Sequence, residues 1–207
     1  MHARHDLPLL QAQGLNWRPP GADHDLWPAG LDFALRPGLA LVQGGDGRGK
    51  TSLLRLLAGR LAPSAGRLQA APGTTVWYED PRDPAVDDQR ASDWLAAQAA
   101  AAPAWQPALA QALVADFDLA EHLPKGLYML STGSRRKLAW TAAAASGATL
   151  TLIDLPFAAL DRPSCRRLAA LLSQAAGDAR RAWVIADFAP PAELDGLAWS
   201  ARIDLGD

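Results

Sequence analysis

Gly44-Gly45-Asp46-Gly47-Arg48-Gly49-Lys50-Thr51 decides how the rest of this chain is read, because it fills every fixed position of the phosphate-loop pattern G-x-x-x-x-G-K-[ST]. Before it, Leu39-Ala40-Leu41-Val42-Gln43 is short and apolar, as a buried strand requires. After it, Ser52-Leu53-Leu54-Arg55-Leu56-Leu57-Ala58 has helical spacing and stops at Gly59. In such a strand, loop and helix, glycines let successive backbone N–H groups turn toward phosphate oxygens, and the helix adds the positive end of its dipole. Lys50 is expected to reach the β- and γ-phosphates and the Thr51 hydroxyl to ligate Mg²⁺. The residues expected to hold a nucleotide here are Gly44, Gly45, Asp46, Gly47, Arg48, Gly49, Lys50, Thr51 and Ser52. A chance glycine turn is the bland alternative, and the flanking strand and helix argue against it.

With 207 residues, 49% of them hydrophobic, the chain can bury a sizeable core and fits one domain, 1–207, with a small insertion. A formal net charge of −2 with 20% charged residues offers no polybasic field, so no nucleic-acid partner is expected. The single cysteine, Cys165, excludes an internal disulfide and fits a reducing compartment. Met1-His2-Ala3-Arg4-His5-Asp6 leads into no apolar signal core, and no apolar run reaches the about 18 residues of a membrane span. A cytoplasmic location is expected, with membrane contact made only through a partner.

Turn-formers such as Pro19-Pro20-Gly21 and Pro37-Gly38 separate short apolar pieces up to about residue 38, which predicts an N-terminal antiparallel β subdomain. Further strands are expected near Leu68 and over Thr74 to Tyr78, with a mobile polar loop at Glu79-Asp80-Pro81-Arg82-Asp83-Pro84. From about 90 to 145 the sequence turns helical, with Ser92 as a candidate N-cap and a break at Pro103, which predicts a small inserted helical subdomain. The remainder alternates: helix to Ala145, strand over Ala148 to Ile153, helix from Arg166 to Ala176, strand over Ala182 to Ala186, and an edge strand over Ala198 to Leu205. The expected fold is therefore α/β, with a mostly parallel sheet covered by helices on both faces.

Two further segments narrow the phosphate-loop class. Leu130-Ser131-Thr132-Gly133-Ser134-Arg135-Arg136-Lys137 opens a helix, and Leu152-Ile153-Asp154-Leu155-Pro156-Phe157-Ala158-Ala159-Leu160-Asp161 follows a strand. The first resembles the signature motif of ATP-binding cassette (ABC) proteins and the second resembles their Walker B segment and D-loop. The similarity runs from Trp17 to Ala186, and the wording Thr51-Ser52-Leu53-Leu54-Arg55-Leu56-Leu57-Ala58-Gly59 is most similar to the small ATPase subunit of cytochrome c maturation haem exporters. An ordinary Ser-capped helix is the bland reading of the first segment, and a small-molecule phosphate-loop kinase would leave both segments unexplained.

What the resemblance implies is a P-loop NTPase fold of ABC type, binding ATP and Mg²⁺. Asp154 is placed as a Mg²⁺ ligand. Trp17 is the candidate for stacking on adenine, with Trp27 competing and either able to be core. Ser131 and Gly133 are expected to contact the γ-phosphate bound by a second cassette subunit, and Asp161 to touch that subunit. The implied partners are a transmembrane permease and a second ATP-binding subunit, with the chain peripheral at the inner face of the cell membrane.

The same resemblance exposes departures. Leu155 stands where these ATPases carry the glutamate that deprotonates water, Asp187 stands at the switch histidine, and Glu79 or Asp80 stands at the Q-loop glutamine, where Asp80 is expected to serve as a further Mg²⁺ ligand. Thr132 and Ser134 replace the usual Gly and Gln of the signature. The groups that bind are expected to be intact and those that activate water impaired. A heterodimer with an intact cassette is favoured over a homodimer. The alternative function is a non-hydrolysing, ATP-dependent regulatory or structural module.

Overall fold

Leu39, Ala40, Leu41 and Val42 are fully buried, as a strand covered on both faces must be. They belong to β3 (Gly38–Gln43), which runs between β7 (Ala182–Asp187) and β8 (Ala201–Asp204). A computed structural model describes residues 8–78 and 87–207. These fall into two compact units, residues 8–78 with 149–156 and 171–207, and residues 87–148 with 157–170.

The first unit contains both sheets. Strands β5 (Val76–Tyr78), β6 (Leu150–Asp154), β7, β3 and β8 form a five-stranded sheet in that order, and every neighbouring pair is parallel. Helix α1 (Lys50–Leu57) packs on β6 and β7 through Leu53, Leu54, Leu56 and Leu57. The second sheet is antiparallel, with β1 (Leu10–Asn16) between β2 (Leu31–Leu35) and β4 (Ala65–Ala70). The expected α/β class, parallel sheet, antiparallel N-terminal part and edge position of the last strand are all present.

The second unit is helical: α2 (Ala91–Ala101), α3 (Pro107–Asp116) and α4 (Thr132–Ala145), with α4 packed against both others. Helix α5 (Arg162–Ala176) begins in this unit and ends in the first. Ser92 is not the N-cap of α2. The backbone N–H groups of Ala91 and Ser92 donate to Lys125 and Leu123 carbonyls, so pairing with that segment starts the helix at Ala91 before any side-chain cap is reached. The break after α2 falls where Pro103 stands, and Pro107 opens α3 at the one helical position that lacks a need for its N–H. Among the described residues no helix is long and apolar enough to cross a membrane.

Helix α5 starts at Arg162, earlier than the spacing from Arg166 suggested, because Asp161 caps it: the Ser164 N–H donates to Asp161 Oδ1 at 2.7 Å. That hydrogen bonding holds the Asp161 carboxyl below the usual carboxylate range. Asp161→Ala should cost about 1 kcal/mol in urea unfolding at neutral pH. A carboxyl lowered on folding contributes stability above its unfolded value and loses it as pH falls through its folded value. The gap between the two proteins should therefore close below about pH 4.

Candidate functional site

The loop from Gly44 to Gly49 leaves the C-terminal end of β3 and enters α1. Gly49 sits at φ 90°, in the left-handed region, and a Cβ there would lie 2.6 Å from Leu26 Cδ1 and 3.0 Å from the Trp27 ring, so no side chain fits. Asp46, Gly47 and Arg48 are exposed at the tip, whereas Lys50 is buried. Its Nζ donates to the carbonyls of Gly44 (2.6 Å) and Gly45 (2.7 Å) and lies 4.3 Å from the centroid of the Phe188 ring. The Gly45 N–H donates to the Gly206 carbonyl, which fixes the start of the loop to the chain leaving β8.

Thr51, one residue into α1, donates its hydroxyl to Asp154 Oδ2 at 2.5 Å. Asp154 ends β6, so the helix start and the neighbouring strand end meet at one pair of hard oxygen atoms. Among the described residues no three His, Cys, Asp or Glu side chains converge as a metal cage. A hydroxyl and one carboxylate suit Mg²⁺, which keeps several waters and takes phosphate oxygens for the rest of its shell. Ser52 is partly buried beside them. Glu79 and Asp80 lie outside the described residues.

Leu155 follows Asp154 with φ 49°, left-handed backbone unusual for a residue with a Cβ, and its N–H donates to the Ala186 carbonyl at 2.8 Å. Asp187 ends β7 opposite Gln43 in the ladder. Burial pushes its carboxyl above the ordinary range, the nearby Asp154 and Glu193 add to that, and the Phe188 N–H and Lys50 oppose it. The site therefore holds a carboxyl that resists ionisation and an aliphatic side chain where water activation calls for a base.

The two tryptophans separate clearly. Trp27 is buried in the core, donates Nε1–H to the Arg48 carbonyl at 3.0 Å and packs on Gly49. Trp17 is partly exposed against the same core and is the one with a face to offer. Sequence reasoning missed the support given by Asn16, Leu26, Trp27 and Phe188. Only the cluster of apolar and aromatic residues around the Trp-Pro turn hinted at it.

In the helical unit, Ser131 is the N-cap of α4, its Oγ accepting from the Ser134 N–H at 3.1 Å. Gly133 has the carbonyl of Ala159 2.7 Å from where a Cβ would stand, so only glycine allows that approach. Ser131 is exposed and Ser134 buried, with Ser134 Oγ 3.4 Å from His122 Nε2.

Residues 29–158 match the ABC transporter family. The chain is 35% identical over 217 residues to the cytochrome c biogenesis ATP-binding export protein CcmA of Cupriavidus necator, covering 96% of this chain and 89% of that protein. It is 32% identical over 178 residues to the taurine import ATP-binding protein TauB of Pseudomonas entomophila, covering 81% and 68%. An ABC transporter ATP-binding protein of Pyrococcus furiosus superposes with a TM-score of 0.70 at 17% identity, covering 95% and 96%, which speaks to the fold. A phosphate loop between β3 and α1, an aspartate at the end of β6 and these similarities agree: the chain belongs to the ABC transporter family, as a nucleotide-binding subunit.

Proposed function

We propose that the chain binds MgATP on its own phosphate loop, cleaves it there slowly or not at all, and serves as one of two cassettes driving a transmembrane permease. The observation that carries this is Leu155, fixed at the end of β6 beside Asp154 by its N–H bond to Ala186. In this reading residues 1–207 form one ATP-binding domain, with the helical part near 90–145 as its inserted subdomain. The Gly44 to Thr51 loop takes the phosphates, Lys50 exchanges its bonds to the Gly44 and Gly45 carbonyls for phosphate oxygens, and Trp17 stacks on the base. Thr51 and Asp154 hold Mg²⁺, with Asp80 a further ligand; the ion neutralises phosphate charge.

An aliphatic side chain cannot accept a proton from water. General-base catalysis contributes about 10²- to 10⁴-fold, or roughly 3 to 5.5 kcal/mol of barrier. Asp187 does not replace it cheaply, since burial favours its protonated form and an ionised carboxylate there would repel the γ-phosphate. Ser131 and Gly133 stand at a helix start with an exposed hydroxyl, which suits them to the γ-phosphate held by a second cassette. Pairing with an intact cassette lets this chain complete a competent site, so a heterodimer is favoured.

The relatives named for cytochrome c biogenesis and export, together with the phosphate-loop wording, support haem export as the process served. Location at the inner face of the cell membrane, held by the permease, follows from that reading. A second reading, an ATP-controlled regulatory module without turnover, is favoured by Leu155 and Asp187 occurring together.

Leu155→Glu combined with Asp187→His should raise steady-state ATP turnover of the purified chain by at least about tenfold with little change in MgATP affinity. Unmodified chain already turning over at the rate of the double variant would contradict the proposal. Tagged chain drawn from detergent-solubilised membranes should bring a permease and a second cassette with it. Recovery of the chain alone would favour the regulatory reading.

A further inference from the structure

One buried side chain pinches together the ends of the segment between Trp17 and Trp27. Asn16 Oδ1 accepts from the backbone N–H of Trp17 (2.9 Å) and of Trp27 (3.1 Å), while its Nδ2 donates to the Trp27 carbonyl (2.6 Å). The Leu26 N–H donates to the Trp17 carbonyl at 2.9 Å and closes the same neck. Asn16 is 5% exposed and its amide is well used, so both tryptophans are held to one fixed point at the end of β1. Outside the neck, Asp25 is tied to Arg18 at 3.1 Å and to the Ser64 hydroxyl at 3.2 Å.

From that neck the Trp27 indole reaches the phosphate loop. Its Nε1–H holds the Arg48 carbonyl, and its ring and Leu26 press on Gly49. A peptide unit is planar and trans, so turning the Arg48 carbonyl toward the indole turns the Gly49 N–H the opposite way, out of the indole's reach. Fixing one carbonyl thus aims one loop donor, at the last residue before α1.

We propose that Trp27 is a positioning residue for the phosphate loop and that Asn16 couples it to Trp17, so that phosphate grip and base stacking strengthen one another. The coupling arm rests on Trp17 being the base platform; the loop arm does not. The Asn16 neck makes the register of Trp17 depend on the backbone position of Trp27, and the position of Trp27 depends on the loop it holds. Losing the indole N–H leaves the Arg48 carbonyl free to turn and the neck less constrained.

The test uses Mg²⁺-tripolyphosphate, which has the phosphates and no base, beside MgATP. Replacing Trp27 by 3-benzothienylalanine, in which sulfur stands for the N–H at nearly unchanged shape, should weaken both probes roughly three- to tenfold. Trp17→Ala should weaken MgATP and leave tripolyphosphate unchanged. In the double variant the MgATP loss from Trp17→Ala should shrink at least about twofold, the mark of coupled residues. Unchanged tripolyphosphate affinity in the Trp27 variant overturns the loop arm. Additive losses, or no MgATP loss in Trp17→Ala, overturn the coupling arm. Full-length unmodified chain gives an independent check should the variant not fold: tripolyphosphate must slow hydrogen exchange at the Trp17, Leu26 and Trp27 amides, and unchanged exchange there contradicts the coupling.

Discussion

The hydrogen bond from the Thr51 hydroxyl to Asp154 joins the start of α1 to the end of β6, two elements far apart in sequence. The arrangement of the nucleotide-binding half of the site depends on it. It fixes the helix whose first turn carries Lys50, sets the carboxylate beside the loop, and keeps the two oxygens that suit Mg²⁺ within one coordination distance of a common point. Parallel pairing of β6, β7 and β3 supplies the frame, because it brings Asp154, Asp187 and Gln43 to the same edge of the sheet, where open parallel sheets hold ligands.

The same frame fixes what is missing. Leu155 is bonded to Ala186 on β7 and takes a left-handed backbone, so its position is set by the sheet and not by its side chain. Asp187 comes from the next strand end with a carboxyl that burial keeps from ionising readily. Side chains at these two points change chemistry without disturbing the binding half. Lys50, resting on its own loop carbonyls and under the Phe188 ring, shows a cation fully supported by the protein and available for exchange with phosphate oxygens.

Much of this was legible in the sequence, for local reasons. The phosphate loop, the buried runs of β3, β6 and β7, and the helix from Thr132 have strong periodicity or fixed glycines. The start of α2 was misjudged because it is set by backbone bonds to residues 123 and 125, which no local cap signal carries. The choice between Trp17 and Trp27 could not be made from composition, since it turns on which indole reaches the Arg48 carbonyl across the fold. Asn16 escaped attention for the same reason: its three bonds go to backbone atoms of a segment that doubles back on it.

The separation of binding from cleavage is tested most directly by a single-turnover experiment on the purified chain. Loaded with less than one equivalent of labelled MgATP and quenched over time, the bound nucleotide should remain ATP for minutes to hours. That is the interval expected when a rate of about 1 per second loses a 10²- to 10⁴-fold general-base contribution. Conversion of the bound label to ADP within seconds would contradict the account.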